Sequence, residues 1–72
     1  MVKLPRLSGK ELVRILSKIG FKIIRQRGSH IFMRHEDKRT TVVPNHKEVD
    51  RGTLLEIIRQ VKLSRDEFLN LV

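Results

Sequence analysis

The amino-acid sequence predicts one α+β domain, a three-stranded antiparallel sheet with its helices on one face. Three places carry helix-start signals, and three short segments of strand-forming residues lie between the first two of them. Seventy-two residues are enough for one domain and no more. We therefore predict a single domain over residues 1–72 with the order α-β-β-β-α(-α), because packing helices on one side of the sheet is the simplest two-layer arrangement.

The first helix is predicted to begin after Ser8. Ser8-Gly9-Lys10-Glu11 is a capping box, in which Glu11 can return a hydrogen bond to the backbone N–H of Ser8. Gly20 supplies the left-handed residue that ends the helix. The apolar residues at helical spacing, expected to be buried, are Leu12, Ile15, Leu16 and Ile19. The basic residues that recur every four positions, expected to be exposed, are Lys10, Arg14 and Lys18.

Three strands are predicted next in the chain. Residues 21–26 and 29–35 flank the turn Arg27-Gly28 and are rich in Phe, Ile and Met. Their alternation is imperfect, which leaves open which side of this hairpin faces inward. Residues 40–43 are β-branched at every position, and Pro44 is expected to stop the third strand because proline cannot donate to the ladder.

Two further helices are predicted after a loop at residues 45–49. Asp50 is a good N-cap for the first of them, and Ser64-Arg65-Asp66-Glu67 is a second capping box. The residues expected on the inner face of the longer helix are Leu54, Ile57, Ile58 and Val61.

Positive charge is concentrated in the first half of the chain. The sequence has 16 Lys and Arg against 8 Asp and Glu, a net charge of +8. Residues 1–39 carry eleven basic and three acidic side chains, whereas residues 40–72 carry five of each. An excess placed in this way indicates a surface that meets a polyanion and favours nucleic acid as the partner.

Several classes of protein are disfavoured. The chain has no cysteine, so neither a disulfide framework nor a thiolate metal site is expected. No apolar run is long enough for a signal peptide or a membrane span, so we expect a cytoplasmic protein without membrane contact. The sequence contains no Gly-rich phosphate loop and no carboxylate cluster. We therefore expect no metal and no small-molecule cofactor.

His30 is the strongest candidate for chemistry. It follows Gly28-Ser29 at the hairpin turn, where side chains are usually accessible. On a regular strand it shares a face with Phe32 and Arg34. A histidine placed among cations is favoured as the neutral imidazole, which can accept a proton. The ribose 2′-hydroxyl of RNA is a suitable proton donor, because once deprotonated it can attack the adjacent phosphate. An ordinary surface histidine in a basic hairpin is the alternative.

The other two histidines are less distinctive. His46, which precedes Lys47, is interpreted as a second acid or base, a phosphate contact, or a structural loop residue, with the last slightly favoured. His35, beside Glu36-Asp37, is interpreted as a plain turn residue.

Four short motifs occur together in one order. They are Gly28-Ser29-His30, Val43-Pro44-Asn45-His46, Gly52-Thr53-Leu54, and Ser64 to Phe68 with the pattern Ser-x-x-Glu-Phe. In this combination the chain resembles the HicA, or YcfA-like, family of mRNA interferase toxins over nearly all of residues 7–68. The turn at Glu36-Asp37-Lys38 departs from the Pro-Asp-Gly type frequent in that family, which leaves the length of the second strand in doubt.

The resemblance implies a fold like that of double-stranded-RNA-binding domains and cleavage of mRNA with His30 as the catalytic residue. Because the sequence lacks a set of metal ligands, we expect this cleavage to be independent of metal. It also implies a HicB-type antitoxin protein as partner. The residues expected to contact RNA are Arg25, Arg27, Gly28, Ser29, Arg34, His46, Lys47, Lys10 and Arg14. A non-catalytic double-stranded-RNA-binding module is the alternative function, although only Arg51 is basic at the start of the second helix, where such modules place several lysines.

Overall fold

The computed structural model describes residues 4–72; Met1, Val2 and Lys3, the basic start of the chain, lie outside the described residues. It contains, in chain order, α1 (Gly9–Lys18), β1 (Lys22–Arg27), β2 (His30–Arg34), β3 (Thr40–Pro44), α2 (Arg51–Gln60) and α3 (Arg65–Leu69). The three strands form one antiparallel sheet in the order β1-β2-β3. The predicted fold class and element order are confirmed.

The sheet differs from the sequence prediction at the ends of its strands. Arg27 belongs to β1 and pairs with His30, so the turn consists of Gly28 and Ser29. Pro44 does not stop β3 but is its last residue, and it also pairs with His30. An edge strand tolerates this proline, because a residue there can lack an N–H on the side that has no neighbouring strand.

Alternation along the central strand determines which side of the sheet is buried. Ile31 and Met33 point inward, and on β3 Thr41 and Val43 do the same. The hydroxyl of Thr41 donates to Oε1 of Gln60 at 2.7 Å, so this buried polar group is satisfied within the fold. The hydrophobic core consists of Leu7, Leu12, Ile15, Leu16, Phe21, Ile31, Met33, Val43, Val49, Leu54, Ile57, Ile58, Val61 and Phe68. The predicted inner faces of both helices are confirmed, except that Ile19 is only partly buried.

Strand β1 is exposed along its whole length, which settles a point that its imperfect alternation had left open. A bulge interrupts its pairing with β2 between Ile23 and Arg25. The side chains of Ile23 and Ile24 are 53% and 52% exposed. Phe21, immediately before the strand, is the residue that anchors this part of the chain in the core.

Side-chain caps begin all three helices, as predicted. Glu11 and Glu67 each exchange two hydrogen bonds with the serine at the N-cap, and the carboxylate of Asp50 accepts the backbone N–H of Thr53. These bonds stabilise the charged carboxylates. Hydrogen bonds from the backbone and then the side chain of Ser8 lower the pKa of Glu11, and Ser64 lowers the pKa of Glu67 in the same way.

We expect the free energy of unfolding to fall as the solution is acidified below about pH 5. The capping carboxylates have a lower pKa in the folded chain than their ordinary values of 4.5 for Glu and 3.8 for Asp. The unfolded chain therefore binds more protons in this range, so stability is lost as the pH falls through the ordinary value toward the folded value. Urea unfolding followed by circular dichroism between pH 7 and pH 3 measures this profile.

Glu11→Gln removes one of the titrating caps and should make the loss with acid shallower. Lys62→Gln also changes the net charge by one unit but removes no carboxylate, so it serves as the control. A Glu11→Gln profile as steep as that of the wild type would contradict the role given to this cap.

Candidate functional site

The side of the sheet that carries no helix presents one continuous row of side chains from each strand. We call it the open face. Cross-strand pairing and exposure place on it Lys22, Arg25, Arg27, His30, Phe32, Arg34, Thr40, Val42 and Pro44, with Ile24 at the bulge. The predicted sharing of one face by His30, Phe32 and Arg34 is confirmed. Four of the ten residues are Lys or Arg and none is acidic, so the face has a net positive charge.

His30 is the first residue of β2 and is exposed. Gly28 in the preceding turn has a φ of 57°, a left-handed conformation that glycine adopts without strain. A Cβ built on Gly28 would meet nothing within 4 Å, so the hairpin tip is open to solvent. Across the sheet His30 lies between Arg27 and Pro44. An imidazole in this position is accessible to a large substrate.

A shallow depression brings the two candidate histidines together. His30 and His46 line it, and the other lining residues are Val42, Pro44, Asp50 and Thr53. Its volume of about 320 Å³ is at the lower end of the range for ligand sites, and it is open on one side. This shape suits one nucleotide of a longer chain better than an enclosed small molecule.

Backbone hydrogen bonds hold the loop that carries His46. The N–H of Asn45 donates to the carbonyl of Ser29 at 2.6 Å, which ties the loop to the hairpin tip. The N–H of Gly9 donates to the carbonyl of His46 itself at 2.9 Å. The imidazole of His46 remains exposed, because only its backbone is used in this contact. The loop is therefore fixed against both the turn before His30 and the start of α1.

Asp50 and Thr53 were not predicted as site residues. The carboxylate of Asp50 accepts two hydrogen bonds from Thr53, one from the hydroxyl at 2.7 Å and one from the backbone N–H at 3.0 Å. These two bonds lower the pKa of Asp50. Asp50 is thus held as a carboxylate that can orient an imidazolium or a hydroxyl but is a poor proton donor. The motif Gly52-Thr53-Leu54 was the signal in the sequence that could have identified this side of the depression.

The predicted RNA-contacting residues form two groups. Arg25, Arg27 and Arg34 lie on the open face, with Gly28 and Ser29 at its tip. A second hollow, at the start of α1, is lined by Ser8, Lys10, Asn45, His46 and Lys47. His46 lines both hollows and so connects the groups. Arg14 is exposed on α1, one helical turn beyond Lys10, and lines neither hollow.

His35 is more than the plain turn residue that the sequence suggested. Its Nδ1 accepts the backbone N–H of Asp37 at 3.1 Å, so Nε2 can carry the proton that is donated to the carbonyl of Ile19 at 3.0 Å. The rings of His35 and Phe21 also meet edge to face, with 5.3 Å between their centroids. His35 therefore links the β2–β3 turn to the end of α1.

Arg39 is likewise structural. It binds both carboxylate oxygens of Asp37 and donates to the carbonyl of Val61 at the end of α2. Its guanidinium also lies 5.2 Å from the centre of the Phe21 ring. Arg39 is one of the eleven basic residues of residues 1–39, and it stabilises the fold.

Residues 4–72 contain neither a cluster of metal ligands nor a helix that could span a membrane. Within this part of the chain, no three histidine, aspartate or glutamate side chains are grouped closely enough to hold a metal ion. None of the helices there combines the length and apolar character needed to cross a bilayer.

A protein-family model matches most of the chain. The family model described as the HicA toxin of bacterial toxin–antitoxin systems matches residues 9–63. No curated protein sequence matches the chain. The matched segment runs from the first residue of α1 past the end of α2, and it includes His30, His46 and Thr53.

We expect Gly9→Ala to lower the free energy of unfolding by about 1–3 kcal/mol, a typical cost of overpacking. A Cβ at Gly9 would collide with the carbonyl oxygen of Pro44 and lie 2.9 Å from the Cα of Asn45, so the loop leading to His46 must move. Urea unfolding monitored by circular dichroism measures the change.

Gly52→Ala is the matched control, because Gly52 also lies in the first turn of a helix. Its Cβ would approach only the side chain of Asp50, at 3.3 Å. The helical preference for alanine, about 0.5–1 kcal/mol over glycine, should offset that mild crowding. Equal stability of the two variants would show that the close approach of α1 to the loop is not required.

Proposed function

The chain belongs to the HicA toxin family of bacterial toxin–antitoxin systems, and we propose that it acts as an endoribonuclease that cleaves mRNA with His30 as the general base. The observation that carries the proposal is the position of His30. It is exposed on a cationic strand face and lines one depression together with His46. The matched family, the charge distribution and this geometry support the same chemistry.

The proposed reaction begins at the ribose. A ring nitrogen of His30 takes the proton of the 2′-hydroxyl, and O2′ attacks the adjacent phosphorus. The bond from phosphorus to O5′ breaks, which leaves a 2′,3′-cyclic phosphate on one fragment and a 5′-hydroxyl on the other. The nucleophile belongs to the substrate, so the step does not depend on a metal-bound water. Positioned general-base catalysis of this kind contributes a factor of about 10²–10⁴.

The leaving O5′ needs a proton, and we assign its donation to His46 in the imidazolium form. His46 lines the depression beside His30, and its exposed ring can reach the leaving oxygen of a nucleotide bound there. The sequence alone left His46 between a chemical and a structural role. The backbone bond from Gly9 and the exposed imidazole are compatible with both roles in one residue.

Arginines stabilise the negative charge that develops on the phosphate in the transition state. Arg27 pairs with His30 across the hairpin, and Arg34 lies on the same face. Their planar guanidinium groups match phosphate oxygens in two-point contacts. Placed before the reaction, such groups stabilise the transition state without reorganisation.

A non-catalytic module for double-stranded RNA remains the alternative. The exposed stripe Lys10, Arg14 and Lys18 on α1 favours it, since a helix of this kind can contact phosphates. The start of α2 argues against it, because Asp50 caps that helix and Arg51 is the one cation among its first residues. Nothing in this alternative uses the depression that His30 and His46 line together.

The partners follow from the proposed activity. A toxin of this family has an antitoxin partner, and we propose that it is a HicB-type protein whose acidic surface covers His30 and Arg34. The substrate is mRNA, so we also propose a cytoplasmic location.

We expect His30→Ala to abolish RNA cleavage and growth arrest while changing the free energy of unfolding by less than about 0.5 kcal/mol, as for most exposed positions. Cleavage of a labelled RNA by the purified protein, with detection of a 2′,3′-cyclic phosphate end, measures the activity. The wild-type activity should persist in excess EDTA.

Lys62→Gln is the control, since Lys62 lies beyond the C-terminal end of α2 and the depression adjoins the N-terminal end. It should cleave like the wild type. Full activity of His30→Ala, or a requirement for added divalent metal, would refute the proposed mechanism.

We further expect a bound antitoxin to protect the open face. Hydrogen–deuterium exchange of the complex should show slower exchange in β2 and the hairpin turn than in the free toxin. The charge reversal Arg34→Glu should weaken the complex, and Arg65→Glu on α3 is its control. A complex that leaves His30 accessible to chemical modification would contradict this arrangement.

A further inference from the structure

We propose that the open face binds single-stranded RNA by stacking a nucleobase on Phe32 and Arg25, next to the phosphate that His30 addresses. The inference rests on the proposed function, because it names the form of the substrate and the residues that select it. Phe32 and Arg25 would bind a base, whereas the histidines and the other cations act on the phosphate and the ribose.

Phe32 is the aromatic residue that the fold leaves available. Of the three phenylalanines, Phe21 and Phe68 are 1% and 0% exposed and belong to the core. Phe32 lies in the middle of β2 on the side without helices and is partly exposed. A hydrophobic side chain on this side gains no burial against a helix. The core therefore gives no reason for an aromatic ring at this position.

Arg25 completes the platform. Its guanidinium carbon lies 4.7 Å from the centre of the Phe32 ring, within the range of a cation–π contact. Guanidinium planes and aromatic rings are both surfaces on which RNA bases stack. The bulge after Ile23 produces this contact. In a regular register Ile24 would pair with Phe32, whereas the bulge places Arg25 opposite it.

Two more apolar side chains extend the platform across the sheet. Ile24 on β1 and Val42 on β3 line one shallow groove together with Phe32, and they are 52% and 38% exposed. A face that bound only phosphates would need no exposed apolar side chains, and a face that bound only an apolar partner would need no cations. Bases and phosphates together match both properties.

The charge around the band selects the occupant. Lys22, Arg27 and Arg34 surround it, and the face carries no carboxylate. A polyanion that also exposes flat apolar surfaces is a single-stranded nucleic acid. Duplex RNA keeps its bases stacked inside the helix and offers the face only its phosphates and sugars.

His30 and Phe32 are two residues apart on the same side of one strand, which is a separation of roughly 6.5 Å along the strand. His30 also borders the depression with His46, whereas Phe32 borders the groove with Ile24. The two hollows share Val42. A base on Phe32 would therefore belong to a nucleotide next to the one that reacts.

The test measures binding without cleavage, in the His30→Ala chain. Phe32→Leu keeps an apolar strand residue but removes the ring, and Phe32→Tyr keeps the ring. We expect Phe32→Leu to weaken binding of a single-stranded RNA oligonucleotide by about 5- to 150-fold, the range for loss of one stacked base. Phe32→Tyr should bind nearly as the parent does. Ile23→Ala, an exposed apolar residue of β1 that pairs toward the inner side with Met33, should leave affinity unchanged.

A series of oligonucleotides with one abasic position distinguishes stacking from a structural effect. At one position, removal of the base should weaken binding to the parent and have no further effect on Phe32→Leu. Unchanged affinity of Phe32→Leu overturns the platform, as does an abasic series without such a position. RNA binding that depends on Lys10 and Arg14 and is insensitive to Phe32 and Arg25 also overturns it, because the RNA then lies on α1.

These results separate the inference from the proposed function. A chain with His30 intact that cleaves RNA but shows no dependence of binding on Phe32 retains the ribonuclease assignment and loses the platform. A chain that cleaves no RNA but binds single strands through Phe32 loses the ribonuclease assignment and retains the platform.

Discussion

The burial of Ile31 and Met33 is the constraint on which the rest of the structure depends. Both residues lie on the central strand, so their position against the helices determines which way every second side chain of β2 points. His30, Phe32 and Arg34 must then lie on the other side. A shift of register by one residue would bury the histidine and expose the core. The chemistry of the open face is therefore secured by hydrophobic packing on the opposite face.

Helix starts could be predicted from the sequence, because a cap is a contact between residues three apart. Ser8, Asp50 and Ser64 all make the predicted bonds. The inward side of the hairpin could not be predicted, since it depends on a bulge and on packing against residues that are distant in the sequence. The roles of His35 and Arg39 were missed for the same reason. Each contacts a carbonyl at a helix end, 16 and 22 residues away in the chain.

The candidate site shows the same division between local and distant information. The exposure of His30 followed from the neighbouring glycine and serine, whereas its meeting with His46 in one depression did not. That meeting results from the backbone bond between Asn45 and Ser29 and from the close approach of Gly9 to the loop. Both contacts join segments that are far apart in sequence. The resemblance gave the order of the motifs but not the geometry that unites them.

The proposed chemistry explains how so small a sheet and its loops can contain an active site without a deep pocket. When RNA supplies its own nucleophile, the protein must provide a base, an acid and positive charge, all of which fit on an exposed strand and one loop. Such groups lie where they cost little stability, because none of them has to be desolvated in a small core. The same exposure leaves the base accessible to any RNA that reaches the sheet. A protein that covers the face would control the proposed activity, which is the role that we propose for the antitoxin.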